Sequence, residues 1–245
     1  MPTRAVHVVV DAADPSKLAQ FWAAALGWDV VAEEPEEVVV APADGTYPNP
    51  DLLPLVFVPV DDQKSTKNRL HFDLASTSDE HQAAKVEQLI GLGARRIDIG
   101  QGDVPWDVLA DPEGNEFCVL EPRESYLDAM PLAAIVIDSP QPQQILPFWV
   151  AAAGWEVQTS GEGFASLRAP TGKGPYLELL RTPDVKAGKN RLHVDVAPLA
   201  DGDVQAEALR LEELGAVRPD IGQGDVSWVV LADPQGNEFC VLSPR

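Results

Sequence analysis

The chain has 245 residues, enough for one large domain or for two small ones. Its composition, 45% hydrophobic and 23% charged, is that of a globular protein and excludes a largely disordered or fibrous chain. Eighteen basic residues against 39 acidic residues give a net charge of −21, which repels the phosphate backbone of nucleic acids. We therefore expect no nucleic-acid partner, whereas cationic or neutral small molecules remain compatible with this charge.

The sequence carries no sign of export or of membrane insertion. Its N-terminal residues lack a basic segment followed by an apolar run, and no stretch approaches the roughly 18 apolar residues of a membrane span. Two cysteines are too few for a disulfide scaffold in a chain of this size. These features predict a cytoplasmic protein without a membrane partner.

The N-terminal part of the chain is predicted to form a unit of order βαβββ. The β-branched apolar run 5–11 predicts a strand, and Asp14 followed by Pro15 predicts the start of a helix. Apolar residues at helical spacing give that helix one buried face: Leu18, Phe21, Trp22 and Ala25. Gly27 predicts the end of the helix. Three short strands are predicted to follow, at 28–32, 37–41 and 52–60.

A second unit of the same order is predicted to follow. Residues 69–75 predict a strand, and the run Thr77-Ser78-Asp79-Glu80 predicts a capping box at the start of a helix that ends at Gly93. Three more strands are predicted at 96–99, 106–110 and 116–120.

The second half of the chain repeats the first half. The run Lys-Asn-Arg-Leu-His-Phe-Asp at 67–73 recurs at 189–195 with one substitution, at a shift of 193 − 71 = 122. At the same shift, residues 98–123 match residues 220–245 with 22 identities in 26 positions. The chain is therefore predicted to be a tandem duplication.

The duplication predicts two domains, at 1–124 and 132–245, and an α+β fold of four βαβββ units. The first helices match at a larger shift, 148 − 21 = 127, so copy one carries five extra residues, which we assign to the proline-rich stretch 42–54. Pro147 lies within the first helix of copy two and is predicted to kink that helix or to delay its start.

The strand at 69–74 has one apolar and one polar face. Its apolar face holds Leu70, Phe72 and Leu74, and its polar face holds Arg69, His71 and Asp73. Because unpaired polar groups are costly to bury, we interpret the polar face as the wall of a cleft. The alternation of the first and last strands of copy one allows His7 and Cys118 to converge on this cleft with His71.

Three motifs of copy one recur in the same order in copy two: the helix from Asp14-Pro15 to Gly27, the run 67–73, and the turn Asp-Pro-Glu-Gly-Asn-Glu-Phe-Cys at 111–118. Together they resemble the glyoxalase-like branch of the vicinal oxygen chelate superfamily. That superfamily also includes glyoxalase I, fosfomycin-resistance transferases, extradiol dioxygenases and bleomycin-resistance proteins. The resemblance implies that each pair of units closes into a cup-shaped mixed sheet with helices outside. It leaves open whether the protein is a lyase or isomerase, a dioxygenase or a metal-free binder.

The resemblance also implies where a metal would bind, on the first and last strands of both units. In copy one these positions are His7, Val56, His71 and Cys118. In copy two they are Ala134, Glu178, His193 and Cys240. Neither copy has four ligands, because Val56 and Ala134 offer none and cysteine stands where the metal-binding relatives have glutamate. A three-ligand site of His7, His71 and Cys118 with one divalent metal, Zn or Fe, is the metal hypothesis for copy one. Glu178, His193 and Cys240 form the corresponding set in copy two.

The histidines and cysteines also have structural interpretations. His71 with Asp73, and His193 with Asp195, are candidate catalytic acid–base pairs; alternatively, each imidazole is hydrogen-bonded only to orient the cleft. A half-buried cysteine in a strand is most often simply packed.

Four further residues are candidate ligand-binding groups. Arg69 and Arg191 are suited either to hold an anionic group of a ligand or to pair with the neighbouring aspartates. Trp106 and Trp228 are suited either to form aromatic cleft walls or to pack in the core.

These observations favour a small-molecule-binding protein whose clefts bind a cationic or aromatic metabolite or drug without a full metal site. The alternatives are an enzyme of the superfamily, with a metal or with acid–base chemistry by His71 and Asp73, and a protein with vestigial clefts. Four units in one chain predict a monomer that is a pseudo-dimer of repeats, or a homodimer. Whether each cleft forms within one copy or between the copies stays open.

Overall fold

The structure is a computed structural model that describes residues 3–43, 45, 49, 51–129, 131–184, 186–222, 224 and 226–244. The predicted insertion at 42–54 is only partly covered, because residues 44, 46–48 and 50 lie outside the described residues, as do the predicted domain limits 1 and 245. The helices are α1 (Pro15–Leu26), α2 (Asp79–Gly91), α3 (Pro142–Ala153), α4 (Val204–Glu213) and a 3₁₀ turn at Glu124–Tyr126. Among the described helices, none is long and apolar enough to cross a membrane.

Four groups of strands accompany these helices. The first unit contains β1 (Thr3–Ala12), β2 (Asp29–Glu33), β3 (Val38–Ala41) and β4 (Leu55–Pro59). The second contains β5 (Leu70–Leu74), β6 (Arg95–Arg96), β7 (Asp107–Ala110) and β8 (Glu116–Val119). The third contains β9 (Leu132–Ser139), β10 (Glu156–Gly161), β11 (Phe164–Arg168) and β12 (Tyr176–Arg181). The fourth contains β13 (Leu192–Pro198), β14 (Val229–Ala232) and β15 (Glu238–Val241), and a single bridge from Val217 to Ala232 stands in the place of β6.

Helix α1 begins and ends where the sequence predicts. The Asp14 side chain accepts a hydrogen bond from the backbone N–H of Lys17, and Pro15 occupies the first turn. Gly27 ends the helix in the left-handed region, at φ 64°, which a glycine adopts without strain. The buried face includes the four predicted apolar residues.

The predicted start of α2 is wrong, and so is the delayed start of α3, which was one of the two effects predicted for Pro147. The N-cap of α2 is Ser78, whose hydroxyl accepts from the N–H of His81 at 3.1 Å, so the predicted capping box is displaced by one residue. Helix α3 runs from Pro142 through Pro147 without a delayed start. Pro147 lies on the exposed face, where water can hydrogen-bond the carbonyl of Gln143 that loses its helical partner.

Each sheet contains one unit from each copy. Sheet one has the strand order β14-β15-β13-β1-β4-β3-β2, and sheet two has the order β10-β11-β12-β9-β5-β8-β7-β6. The copies are joined where β1 pairs with β13 and where β5 pairs with β9, in both cases antiparallel. The sequence left open whether the clefts form within one copy or between the copies. They form between the copies, because each sheet places strands of both copies side by side.

One hydrophobic core contains residues of both sheets and of all four helices. Trp22 of α1 contacts the rings of Phe72 and Phe117 in sheet two, at centroid distances of 5.0 and 5.1 Å. In the same way, Phe148 of α3 contacts Phe239 in sheet one at 5.5 Å. The first helix of each copy therefore packs against a sheet strand of its own second unit, which lies in the other sheet.

The repeated Asp-Pro-x-Gly-Asn turn anchors these tryptophans. Asp111 accepts hydrogen bonds from the indole N–H of Trp22 at 3.2 Å and from the backbone N–H groups of Glu113 and Asn115, both at 2.9 Å. Asp233 accepts from Trp149 at 3.1 Å in copy two. The turn is therefore a structural motif that satisfies a buried carboxylate and orients the last strand.

The repeated Lys-Asn-Arg segment fastens one copy to the other. Arg69 is 7% exposed, and its guanidinium donates to Asn237 Oδ1 at 3.1 Å and to the backbone carbonyl of Asp138 at 2.7 Å. Lys67 Nζ lies 2.6 Å from the Asp138 carboxylate. All these acceptors belong to copy two.

The contacts of Arg69 with the Asp138 carbonyl and of Lys67 with the Asp138 carboxylate recur with the copies exchanged. Arg191 donates to the backbone carbonyl of Asp11 at 2.8 Å, and Lys189 pairs with the Asp11 carboxylate. The motif therefore acts twice as a clamp across the junction between the copies.

Replacing the buried clamp is expected to destabilise the fold. Arg69→Ala removes the arginine donor to the buried Asp138 carbonyl and one of the two donors to Asn237 Oδ1, at about 1–3 kcal/mol each, and we expect a net loss of about 3 kcal/mol in the free energy of unfolding. Arg218→Ala is the control, because Arg218 forms a surface ion pair with Glu212, of a kind worth about 0–1 kcal/mol. Urea unfolding of both variants measures the difference, and equal losses would contradict the clamp.

Candidate functional site

Each sheet lines one large cavity. Cleft one, in sheet one, has a volume of about 820 Å³, and its wall includes His7, Val56, His193, Asp195, Trp228 and Cys240. Cleft two, in sheet two, has a volume of about 690 Å³, and its wall includes His71, Asp73, Trp106, Cys118, Tyr126 and Glu178. Cavities of this size accommodate a small organic molecule.

The predicted grouping of His7 with His71 and Cys118 is not found. His7 lies on β1 in sheet one, whereas His71 and Cys118 lie on β5 and β8 in sheet two. Glu178 likewise lines cleft two, while the other two members of its predicted set line cleft one. The reason is the strand pairing, because β1 pairs with a strand of the other copy rather than with β5.

A carboxylate between two imidazoles lies in the wall of cleft one. Asp195 is 3% exposed, and its Oδ2 lies 2.9 Å from His7 Nε2 while its Oδ1 lies 3.3 Å from His193 Nε2. The backbone N–H of Cys240 also donates to Oδ1, at 3.2 Å. His7 and Asp195 are directly opposite each other on paired strands, which explains their contact. Both oxygens of the buried carboxylate therefore have protein partners.

These contacts determine the charge of Asp195. Burial acts to raise the pKa of Asp195, but the charges and hydrogen bonds of His193 and His7 outweigh it and hold this pKa well below its usual range. Cys240 Sγ lies 3.6 Å from His193 Nε2. Burial, together with the nearby Asp195, raises the pKa of the Cys240 thiol, so the thiol stays protonated.

Cleft two has an equivalent aspartate, Asp73, but no histidine lies opposite it. Ala134 is directly opposite Asp73 on β9, at the place that His7 takes opposite Asp195. His71 Nε2 lies 3.6 Å from Asp73 Oδ1, beyond hydrogen-bonding distance, and this buried oxygen has no hydrogen-bond partner in the part of the chain that the structure describes. Burial raises the pKa of Asp73 more than the neighbouring His71 lowers it.

A second buried carboxyl group lines cleft two. Glu178 Oε1 accepts a hydrogen bond of 2.7 Å from the hydroxyl of Tyr126, and burial raises the pKa of Glu178. Tyr126 belongs to the 3₁₀ turn between the two copies and is not among the residues predicted to form a site. The aromatic side chain of Tyr126, in the connection between the two copies, was a signal for its role.

Of the predicted ligand-binding residues, the two tryptophans line the clefts, whereas the two arginines lie at the junction between the copies. Trp228 lines cleft one and Trp106 lines cleft two, where Arg123 lies 5.8 Å from the Trp106 ring centre. Arg69 and Arg191 line neither cleft and instead border a third cavity, of about 490 Å³, between the two Lys-Asn-Arg segments. In the contacts of the described residues, Arg69 does not pair with Asp73, and Arg191 does not pair with Asp195.

The clefts also differ in charge. Four exposed acidic residues line cleft one: Glu36, Glu37, Asp61 and Asp62. Cleft two instead has Arg123 and Arg181 among its lining residues. The exposed acidic residues make the electrostatic potential at cleft one negative, whereas Arg123 and Arg181 offset the acidic residues of cleft two.

We compared the donor groups in each cleft with the metal site that the resemblance implies. Two sets of donor atoms lie within 4.8 Å of one another: His71, Asp73 and Cys118, and His193, Asp195 and Cys240. In cleft one, His7 is already hydrogen-bonded to Asp195. An ionised Asp195 only accepts hydrogen bonds, so His7 Nε2 carries the proton and has no lone pair for a metal. Val56 and Ala134 offer no ligand, so neither cleft presents four donors at the implied positions. The residues do not fit the implied four-ligand site.

Comparisons with known proteins agree with this fold. A family model described as a glyoxalase-like domain matches residues 7–120 and 134–242. Glyoxalase I from Zea mays is 16% identical, with a TM-score of 0.65 over 98% of this chain and 92% of that chain. A putative dioxygenase from Bacillus subtilis is 15% identical, with a TM-score of 0.62 over 99% of this chain and 85% of that chain. No curated protein matches the sequence.

The two equivalent aspartates are expected to respond differently to the same substitution. Asp195→Asn removes an ionised partner of two imidazoles and is expected to cost about 3 kcal/mol of unfolding free energy at pH 7. Asp73→Asn is expected to cost about 1 kcal/mol or less, because Asp73 has no partner for one oxygen.

The pH dependence tests the charge of Asp195. Because its folded pKa lies below the unfolded value of about 3.9, its stabilisation is present above that pH and is lost as the pH falls further. The Asp195→Asn penalty should therefore shrink between pH 7 and pH values below about 4, as measured by urea unfolding. An unchanged penalty would show that Asp195 is not the ionised partner of the two imidazoles.

Proposed function

The chain belongs to the glyoxalase-like family, and we propose that it is a member that binds small aromatic or cationic molecules in its two clefts without a resident divalent metal. One observation carries this proposal. In cleft one the central carboxylate, Asp195, already has His7, His193 and the Cys240 N–H as partners. These groups form a closed hydrogen-bonded wall, which shapes a cavity and leaves a metal little to bind.

The remaining lining of cleft one supports a cationic aromatic ligand. Val9, Val56 and Val58 give an apolar surface, and Trp228 adds an aromatic face. A cation near an indole ring is attracted by the ring, and the acidic residues at the same cleft increase this attraction. The net charge of −21 favours the approach of cations to the whole molecule.

A second candidate function is metal-free acid–base catalysis in cleft one. It is favoured by the contact between His193 and Asp195, because an ionised carboxylate stabilises positive charge on an imidazole that gains a proton. The imidazole of His193, whose side chain is 12% exposed, would exchange that proton with a bound molecule. The equivalent pair of His71 and Asp73, at 3.6 Å, is less suited to this role.

The proposal also specifies the assembly. Because each sheet takes one unit from each copy, a single chain completes both clefts. We therefore expect a functional monomer, in which the two copies take the places of two subunits.

Elemental analysis tests the absence of a resident metal. Protein purified without tag or chelator, and then incubated with Zn(II), Fe(II), Ni(II) or Mn(II) and desalted, is expected to hold far less than one equivalent per chain. The variants His71→Ala and Cys118→Ala are expected to give the same low values as the wild type. Near-stoichiometric metal that both variants lose would refute the metal-free proposal.

Binding of an aromatic cation tests cleft one. The benzyltrimethylammonium ion is expected to bind more tightly than neutral benzyl alcohol, and Trp228→Ala is expected to weaken its binding about tenfold, because a desolvated cation–π contact is worth about 1–2 kcal/mol. Trp228→Phe keeps a ring and should retain most of the affinity. Calorimetry at low and high salt measures both effects, and equal affinities for the cation and the alcohol would contradict the proposal.

A further inference from the structure

The two clefts differ in charge at equivalent positions of the two copies. Arg181 in cleft two is equivalent to Pro59 in cleft one, because each ends its strand in the same register with the first strand of its copy. Three acidic residues of cleft one also have uncharged equivalents: Glu36, Glu37 and Asp61 correspond to Gly163, Phe164 and Pro183. Cleft two therefore lacks three carboxylates of cleft one and has an additional guanidinium group.

Arg123 presents a second guanidinium group to cleft two. Its Nε donates to Glu121 Oε1 at 2.7 Å, and its Cζ lies 5.8 Å from the ring centre of Trp106 and 5.7 Å from that of Tyr126. These contacts hold the guanidinium group in one orientation. Its side chain is 33% exposed and lines the cavity, and no second carboxylate pairs with it among the described residues. Of the five N–H donors of Arg123, those on the terminal nitrogens therefore remain for an acceptor on a bound molecule.

Cleft two is also the more aromatic of the two cavities. Four of its lining residues carry aromatic rings: Trp106, Tyr126, Phe164 and Tyr176. Among the described lining residues of cleft one, Trp228 alone is a tryptophan, tyrosine or phenylalanine. Phe164, at the position of the acidic Glu37, is 43% exposed, so its ring is accessible to a ligand.

The acidic residues of cleft two are shielded from a bound anion. Asp138 pairs with Lys67 at 2.6 Å, and Glu178 accepts a hydrogen bond from Tyr126 at 2.7 Å. The Asp73 side chain is only 8% exposed. Burial raises the pKa of Asp73 and that of Glu178, so both bind a proton more readily than an exposed carboxyl group does, which weakens their repulsion of an anion.

We propose that cleft two binds an aromatic molecule with a carboxylate group, which accepts hydrogen bonds from the terminal nitrogens of Arg123 while its ring packs against Trp106 and Phe164. This inference deepens the proposed binding function and depends on it. It gives the two clefts opposite charge preferences, because cleft one takes aromatic cations.

The experiment compares two probes that have the same ring and nearly the same shape. Phenylacetate carries a carboxylate, whereas phenylacetamide is neutral. The indole N–H signals of Trp106 and Trp228 report cleft two and cleft one separately in ¹H–¹⁵N spectra, and Trp→Phe variants assign them. At cleft two, we expect phenylacetate to bind at least about tenfold more tightly than phenylacetamide. At cleft one, we expect benzyltrimethylammonium to bind more tightly than either probe.

Substitutions of Arg123 test the anchor. Arg123→Gln should weaken phenylacetate about tenfold and leave phenylacetamide nearly unchanged, so that the preference disappears. Arg123→Lys keeps the charge without the planar fork, and we expect an intermediate affinity. Arg218→Gln, at the surface ion pair with Glu212, is the control that should leave both affinities unchanged. Urea unfolding of each variant confirms that it is folded.

Substitutions of Phe164 test the charge difference between the clefts. Phe164→Glu introduces the acidic residue of cleft one at the equivalent position and should weaken phenylacetate more than phenylacetamide. Phe164→Leu removes the ring without adding charge and should weaken both probes to the same extent.

The possible results separate this inference from the proposed function. Equal affinities of phenylacetate and phenylacetamide at cleft two, or a preference that survives Arg123→Gln, would overturn the inference. Phenylacetate that shifts the Trp228 signal and not the Trp106 signal would overturn it as well. In these cases, binding of benzyltrimethylammonium at cleft one would leave the proposed function standing. Binding of no probe at either cleft would overturn both.

Discussion

The exchange of units between the two copies is the constraint on which the rest of the structure depends. The antiparallel pairings of β1 with β13 and of β5 with β9 complete both sheets, and both clefts form across these pairings. The pairings also decide which side chains meet. They place His7 opposite Asp195 and Ala134 opposite Asp73, so the chemistry of each cleft is set by residues far apart in the chain.

The two copies share their scaffold and differ in their clefts. The Lys-Asn-Arg clamp and the Asp-Pro-x-Gly-Asn turn make equivalent contacts in both copies, because both motifs satisfy buried polar groups that any such fold must satisfy. The differences fall on the first and last strands of the odd-numbered units, where His7 and Val56 correspond to Ala134 and Glu178. One cleft therefore has a closed carboxylate–imidazole network, whereas the other has two buried carboxyl groups, one of them incompletely paired. Duplication has produced two cavities of similar size with different recognition chemistry.

The local elements could be predicted because their causes are local. Asp14, Pro15 and Gly27 determine the ends of α1 through contacts within a few residues, and the alternation in β5 identifies its polar face directly. The grouping of site residues was predicted wrongly for His7, because a strand pattern shows which face a residue occupies but not which strand lies beside it. Tyr126 was missed for a related reason, since a residue in a connection acquires a role only when the fold brings it against Glu178.

The sequence by itself determined the duplication, the order of helices and strands and the ends of α1, since repetition, periodicity and capping are properties of neighbouring residues. Only the tertiary structure decided that the clefts form between the copies and that Arg69 and Arg191 act as clamps rather than cleft residues. It also decided that one aspartate is ionised between two imidazoles while its equivalent has an oxygen without a donor. Hydrogen bonding and the pKa of a buried group depend on which distant residues surround it, and the burial of apolar surface in the whole fold brings those residues together.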